Sequence, residues 1–335
     1  MIKKDTDTRC SARYKYGPSR HLDLNPYLTC IIEDFSIIAI SGRTAFKASD
    51  SMRLYCLKTL KPMKAISYTP LSLYGIRYVS ELKSLLAYGH NTITLFNTAH
   101  GFRETWKQKN NLEIEGVDFV FEESKVLAVG KFHGVAVWSL EDPDFHDVKL
   151  QHYKRFGHSI TYIKSCKKVL IMTRQNVAVT DWPTMETMVY VDNYLNLRTQ
   201  PIQVLSYNSR WKLLTAEYYK SGTHTMWRIK EEEKSDKELE SDSKEVMPLE
   251  LIGVSPAFMT VIGYVPEKTA LIGLVDAGSL ALSRLPDGLV KCHFEDYCVV
   301  NRPKYWMTKN TICFVTRSSA FVPSFKLCLR FLDFD

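Results

Sequence analysis

The sequence predicts an all-β chain folded as a single seven-bladed β-propeller, on two observations. The first is a recurring strand ending. Seven short alternating segments, Met52 to Tyr55, Thr92 to Phe96, Val135 to Trp138, Val177 to Thr180, Thr223 to Trp227, Ser279 to Ser283 and Lys326 to Arg330, finish 41, 42, 42, 47, 56 and 47 positions apart. That period is close to the roughly 40 to 45 residues of a four-stranded propeller blade. The second observation is composition. With 45% hydrophobic and 12% aromatic residues but only 15 Gly and 13 Pro, the chain can bury a large core, and the repeats over residues 1–335 leave no gap for a second domain.

Each repeat is expected to supply four antiparallel strands, the second and third forming a hairpin. In chain order the hairpins read Ile37 to Leu57, Leu85 to Asn97, Val126 to Leu140, Val169 to Trp182, Leu213 to Ile229, Ala270 to Leu285 and Thr311 to Leu332. A short apolar first strand precedes each one: Leu28 to Ile32, Tyr74 to Val79, Gly116 to Phe121, Ser159 to Ile163, Ile202 to Tyr207, Met259 to Val265 and Lys304 to Met307. The seventh hairpin runs almost to Asp335, so its outer edge needs a partner from elsewhere. Ser11 to Tyr16, in which Ala12, Tyr14 and Tyr16 alternate with basic neighbours, is expected to pair with that edge and close the propeller.

The fifth repeat carries an insertion, residues 230–247, with eight acidic and four basic residues. High charge without apolar periodicity suits a solvated, flexible loop. Deleting Glu231 to Glu245 is expected to leave the melting transition intact, since loop length enters the closure entropy only logarithmically. Within the insertion Ser235, Ser241 and Ser243 sit beside acidic residues as candidate phosphorylation sites, although a tolerated surface insertion is the simpler explanation of the segment.

The chain carries +7 overall, and the net −4 of the insertion leaves +11 on the remainder. A moderately basic body suits an acidic partner or RNA. The start, Met1 to Asp7, lacks the apolar run of a signal peptide, and no stretch approaches the ~18 apolar residues of a membrane span. Cytosol or nucleus is therefore expected, with no membrane partner. Eight cysteines without a C-x-x-C pair read as buried, reduced thiols.

Phosphate-binding, nucleophile-elbow and zinc-protease motifs are all absent, so neither an enzyme, a cofactor nor a small-molecule substrate is expected. The segment Glu141 to Asp147 has metal-ligand residue types, but Asp142, Pro143 and Asp144 are also what a turn requires. Cys292, His293 and Cys298 lack a fourth zinc ligand. His90 and His133 fall in hairpin turns and His224 within a hairpin. The turns between first and second strands collect cations, namely Lys83, Lys125, Lys167 with Lys168, Arg210 with Lys212, Lys268 and Lys309, interspersed with Glu81, Glu122, Glu123 and Glu267. Two places combine cations with aromatics able to stack on bases. They are Lys164, Lys167 and Lys168 beside Tyr162, and Arg302 and Lys304 beside Tyr305 and Trp306, the candidate contacts for RNA or a partner.

The strand ending Ser49 to Leu57 resembles those of WD-repeat propellers, with the characteristic Asp present as Asp50 and the Trp as Trp138 and Trp227. Tyr55 and Phe96 are plausible substitutes, whereas Thr180, Ser283 and Arg330 depart from the pattern. Residues 30–140 resemble the opening of the WD-repeat subunits that partner tRNA ribose 2′-O-methyltransferases, through Ser51 to Leu57, Leu73 to Arg77, Leu85 to Gly89 with Thr94 to Asn97, and Leu127 to Gly130 with Val135 to Trp138. The resemblance implies a non-catalytic scaffold or adaptor in an RNA-modifying complex, with a methyltransferase as one partner. The alternative is a direct RNA-binding module working through the basic turns.

Overall fold

The computed structural model describes residues 12–44, 50–67, 73–131, 135–142, 146–149, 157–173, 177–185, 188–190, 202–208, 213–218, 224–229, 249–254, 259–265, 270–275, 279–284, 290–294, 305–307, 311–317 and 325–334. Among them there is no α-helix. All regular structure is strand, apart from three-residue 3-10 turns at Glu33–Phe35, Phe121–Glu123 and Lys164–Cys166. The chain divides into two compact units, Met1–Ala87 with Leu95–Thr105 and Phe258–Asp335, and Tyr88–Thr94 with Trp106–Ala257.

The first unit begins with β1 (Ala12–Leu22), then β2 (Leu24–Ile32), β3 (Ile37–Thr44), β4 (Asp50–Cys56) and β5 (Pro62–Ser67), the last four forming one antiparallel sheet in chain order. β6 (Leu73–Val79), the ends of β7 (Ser84–Asn97) and the start of β8 (Arg103–Val120) follow. The 14-residue β7 doubles back on itself. Thr98 donates to the Lys83 carbonyl through both its backbone N–H at 3.0 Å and its hydroxyl at 2.6 Å, so the two ends lie side by side, and Asn91 near the middle has a φ of 64°. It is therefore the expected second hairpin, its two strands lying on either side of Asn91.

In the second unit the body of β8 pairs with β9 (Lys125–Gly130), which pairs with β10 (Val135–Ser139) and then β11 (His146–Lys149). Two further four-stranded sheets are β12 (Gly157–Ile163), β13 (Lys168–Thr173), β14 (Val177–Asp181) and β15 (Met188–Tyr190), and β16 (Ile202–Asn208), β17 (Leu213–Tyr218), β18 (His224–Ile229) and β19 (Leu249–Val254). The first unit resumes with β20 (Met259–Val265), β21 (Ala270–Val275), β22 (Ser279–Arg284) and β23 (Val290–Phe294), and ends in β24 (Tyr305–Met307), β25 (Thr311–Arg317) and β26 (Phe325–Phe334).

The terminal sheet runs β1-β26-β25-β24, so the N-terminal strand does supply its fourth member. Pairing extends beyond the expected Tyr16. Ala12 to Tyr16 face Phe334 to Arg330, the register shifts at Gly17 and Pro18, and Ser19 to Leu22 then face Cys328 to Phe325. The shift falls where proline offers no N–H to a ladder. Leu22 and the following Leu24 are buried against Ile38, Ile40, Tyr55, Leu60 and Leu327, which anchors β1 at its inner end.

Irregularities recur in phase. A bulge sits five residues before the end of the first strand at Tyr27, Glu115, His158 and Gln203, where the registers shift against β3, β9, β13 and β17. Bulges raise local twist, so the same local twist is written into these four strands, whereas β20 shifts three residues before its end, at Ile262. A position one or two residues before the end of each third strand is core wherever its side chain is described: Tyr55, Phe96, Trp138, Thr180, Trp227 and Ser283 are all buried.

Thr180 and Ser283, the two of these six that are not aromatic, bury hydroxyls that have no hydrogen-bond partner. An unmet buried hydroxyl costs about 1 kcal/mol or more, and valine has nearly the shape of threonine without that demand. Thr180→Val is therefore expected to stabilise the fold by roughly 1 kcal/mol and to raise Tm by about 2 °C in calorimetry. A fall in Tm would mean that the hydroxyl is satisfied.

Candidate interaction site

The turn from first to second strand is built the same way in four successive repeats. Residue pairs closing it stand five apart, as Ile32 with Ile37, Val120 with Lys125 and Ile163 with Lys168. Its fourth residue is left-handed in every case, Ser36 at φ 50°, Lys83 at 46°, Ser124 at 52° and Lys167 at 49°. Non-glycine residues pay roughly 1 to 2 kcal/mol for that conformation, and here two sets of hydrogen bonds compensate. The N–H of the left-handed residue bonds back to the first carbonyl of the turn, at 2.9, 3.1, 3.2 and 3.3 Å. Its own carbonyl accepts from the residue leaving the third strand, Leu57 at 2.7, Thr98 at 3.0, Leu140 at 2.8 and Trp182 at 2.8 Å.

Carboxylates on these turns are tied to the next repeat. Tyr78 in β6 donates its hydroxyl to Asp34 Oδ2 at 2.7 Å, and Lys83 Nζ reaches the same oxygen at 3.0 Å. Tyr162 in β12 donates to Glu122 Oε1 at 2.7 Å, its backbone N–H bonds Asp118 Oδ2 at 2.7 Å, and the Trp182 indole N–H bonds Glu123 Oε1 at 2.7 Å. The Tyr162 and Trp182 rings meet edge to face at 6.3 Å. Glu113, which precedes β8's bulge, is bound by Lys131 Nζ and lies 3.6 Å from His90 Nδ1.

These partners shift the titrations. Hydrogen bonds from Tyr78 and then Lys83 lower the Asp34 pKa, and the Lys131 hydrogen bond lowers that of Glu113. At Glu122 partial burial works upward, but the Tyr162 hydroxyl and the charges of Lys164 and Lys167 outweigh it and the net shift is downward. Burial, followed by the bond to Asp34, pushes the Tyr78 phenol up to about 12, and burial with Glu122 raises Tyr162 as well.

Linkage then sets the sign of the pH dependence. The depressed carboxyls contribute stability that is present above their unfolded pKa of roughly 4 and is lost as pH falls through the folded values. Tyr78 contributes stability that is present below its unfolded pKa of 10 and is lost as pH rises toward about 12. Melting temperature is thus expected to fall below about pH 4 and above about pH 10, with Asp34→Asn weakening both dependences. An Asp34→Asn profile parallel to wild type, measured by circular dichroism, would show that this pair contributes nothing to either limb.

The sequence-selected cations fare unequally. Lys164 and Lys167 are exposed on the Lys164–Cys166 turn and at its left-handed end, while Lys168 opens β13 and pairs with Asp181 Oδ1 at 2.8 Å with only 12% of its side chain exposed. The Tyr162 ring, proposed to stack on a base, is half-buried and already engaged by Glu122 and Trp182. Lys83 is paired with Asp34. The turns are therefore mixed in charge rather than uniformly basic.

Tyr305 and Trp306 lie in β24 opposite Phe314 and Cys313. Cys292 and His293 lie in β23, His224 in β18, and His146 and Asp147 in β11. Arg302, Lys304, Ser235, Ser241, Ser243, His133, Asp144, Cys298, Arg210, Lys212, Lys268 and Lys309 fall outside the described residues. Of the described cysteines, Cys30 and Cys328 are buried thiols outside any disulfide, whereas Cys56 and Cys166 are half-exposed. Burial pushes the Cys30 pKa up to about 12.

Sequence reasoning missed the carboxylates Asp34, Asp118, Glu122 and Glu123 as structural partners. A signal was present. The next-to-last residue of the first strand is aromatic in six repeats, as Tyr78, Phe119, Tyr162, Tyr207, Tyr264 and Trp306. Two of these rings, Tyr78 and Tyr162, span to the preceding turn, whereas Phe119 stacks on Phe121 of the turn that follows it.

No family model and no curated protein sequence matches the chain. Among solved structures it is similar to the β-propeller domain of Cps50 (Swd1) from Myceliophteria thermophila, with a TM-score of 0.64 over 92% of this chain and 99% of that one, at 8% identity. The chain therefore has a β-propeller fold, and the likeness extends to the fold alone.

Proposed function

We propose that the chain is a seven-bladed propeller closed by β1, acting as a non-catalytic scaffold for protein partners in the cytosol or nucleus, in the setting of an RNA-modifying complex such as one containing a tRNA ribose 2′-O-methyltransferase. Counting the folded-back β7 as two strands and dividing β8 between neighbouring repeats gives seven four-stranded blades. The observation that carries the scaffold reading is the binding of turn carboxylates by Tyr78, Tyr162 and Trp182. Polar side chains engaged in holding successive repeats together make a stiff frame, and a stiff frame with loops at its margins suits the holding of macromolecules. Affinity purification of the tagged full chain tests it. Defined protein partners that survive moderate salt are expected, a methyltransferase among them. Recovery of RNA with no protein in stoichiometric amount would sink the reading.

The exposure of Lys164 and Lys167 favours direct RNA contact as a second reading. Lys164→Glu with Lys167→Glu should then leave the fold intact and abolish salt-sensitive RNA binding. Retained wild-type binding would discard it.

A further inference from the structure

The outer strand of the first sheet does not follow the alternation expected of a half-covered strand. Five consecutive residues, Lys61 to Ala65, are exposed, and the segment is held to the core by Leu60 before them and Ile66 after. β5 ends its sheet, so no strand of that sheet lies along its outer edge. Leu54 pairs with Lys64 and Tyr55 with Pro62, which leaves Met63 as a bulge, 56% exposed.

Charge on this edge has one sign. Lys58, Lys61 and Lys64 are exposed, and no acid occurs from Leu57 to Ser67. Lys64 Nζ donates to the Gly101 carbonyl at 2.5 Å, two residues before the exposed Arg103. Lysines and a bulge protect a sheet edge from unwanted pairing, but protection does not call for an exposed thioether among them. Methionine instead adapts to varied apolar partners.

We infer that the β5 edge, with Met63 framed by Lys58, Lys61 and Lys64, docks an acidic, extended polypeptide segment that carries an apolar side chain. The lysines meet the carboxylates, Met63 receives the apolar group, and the open backbone edge accepts the extended chain. A nucleic-acid backbone would satisfy the lysines but leave the bulged methionine without a counterpart. The inference rests on the scaffold reading, in that a protein partner supplies the segment.

The test is fluorescence anisotropy of the full chain with a labelled peptide of about twelve residues built from Glu, Asp and spaced Leu. Saturable binding that weakens with salt is expected, reduced ~10-fold or more by Lys58→Glu with Lys61→Glu and also by Met63→Asp. The neutral pair Lys58→Gln with Lys61→Gln, which keeps exposed side chains of similar length, should give an intermediate loss at unchanged Tm. Absence of saturable binding by the wild type overturns the inference, as does binding that none of these variants weakens. A uridine-rich single strand of equal charge binding as tightly, with the same sensitivity, would make the edge a phosphate contact and overturn it too. Stable protein partners in affinity purification without peptide binding would remove this inference alone, and peptide binding without partners would remove the scaffold reading alone.

Discussion

A chain lacking residues 1–22 is expected to lose its cooperative melting transition and to aggregate. β1 is hydrogen-bonded along β26 from Phe334 to Phe325. Without it, a ten-residue strand bearing Phe325, Leu327, Leu329, Phe331, Leu332 and Phe334 becomes an open edge, the sequence type that pairs with other chains. Loss of Leu22 also opens the cluster around Ile38, Ile40, Tyr55 and Leu327. Each backbone bond lost to water is worth about 1 kcal/mol net and the buried leucine about 2 kcal/mol, against a total stability of roughly 5 to 15 kcal/mol. Calorimetry and light scattering read the outcome. A truncated chain that stays monomeric and melts as the full one does would show that β1 is dispensable.

Gly130→Ala is expected to be severely destabilising. A Cβ at residue 130 would lie 1.7 Å from the Glu113 carbonyl oxygen and 2.8 Å from its carbon, both backbone atoms. Lys131 N–H holds that same carbonyl at 3.1 Å, and the adjoining bulge at Glu115 fixes the register of β8 against β9. Neither strand can yield by a rotamer change, so the strands must part, at a cost of about 3 kcal/mol or more. Gly101→Ala is the control. It meets nothing within 4 Å and loses only the left-handed preference of a residue at φ 68°, about 1 kcal/mol. Denaturant midpoints for the two variants should differ accordingly, and equal midpoints would show that the β8 and β9 backbones relax around the methyl group.

How much of the candidate site was legible follows from distance along the chain. The lysines of the turns could be picked out because a cation in a polar four-residue turn is a local pattern. Their counter-ions could not. Asp34 precedes Tyr78 by 44 positions and Lys83 by 49, and Glu122 precedes Tyr162 by 40. Nothing local in the sequence announces that Lys83 faces Asp34 or that Lys168 faces Asp181, although the aromatic recurring before six of the turns held half of that information. The β5 edge was illegible for a different reason. Residues 58–65 resemble any polar strand and turn, and exposure of five successive positions emerges only when the neighbouring strands are seen to leave them uncovered.

Strand identity, the seven hairpins and the use of the N-terminal segment were determined by the sequence alone, because alternation of apolar residues and the punctuation of turns act over a few residues. The extension of β1 to Leu22, the burial of Thr180 and Ser283, and the pairing of Asp34, Glu122 and Glu123 with side chains of the following repeat were decided by tertiary structure. Those depend on which surfaces meet across forty or more residues. The energy of a buried hydroxyl or a shared carboxylate is set by what the fold places opposite it, not by its neighbours in the chain.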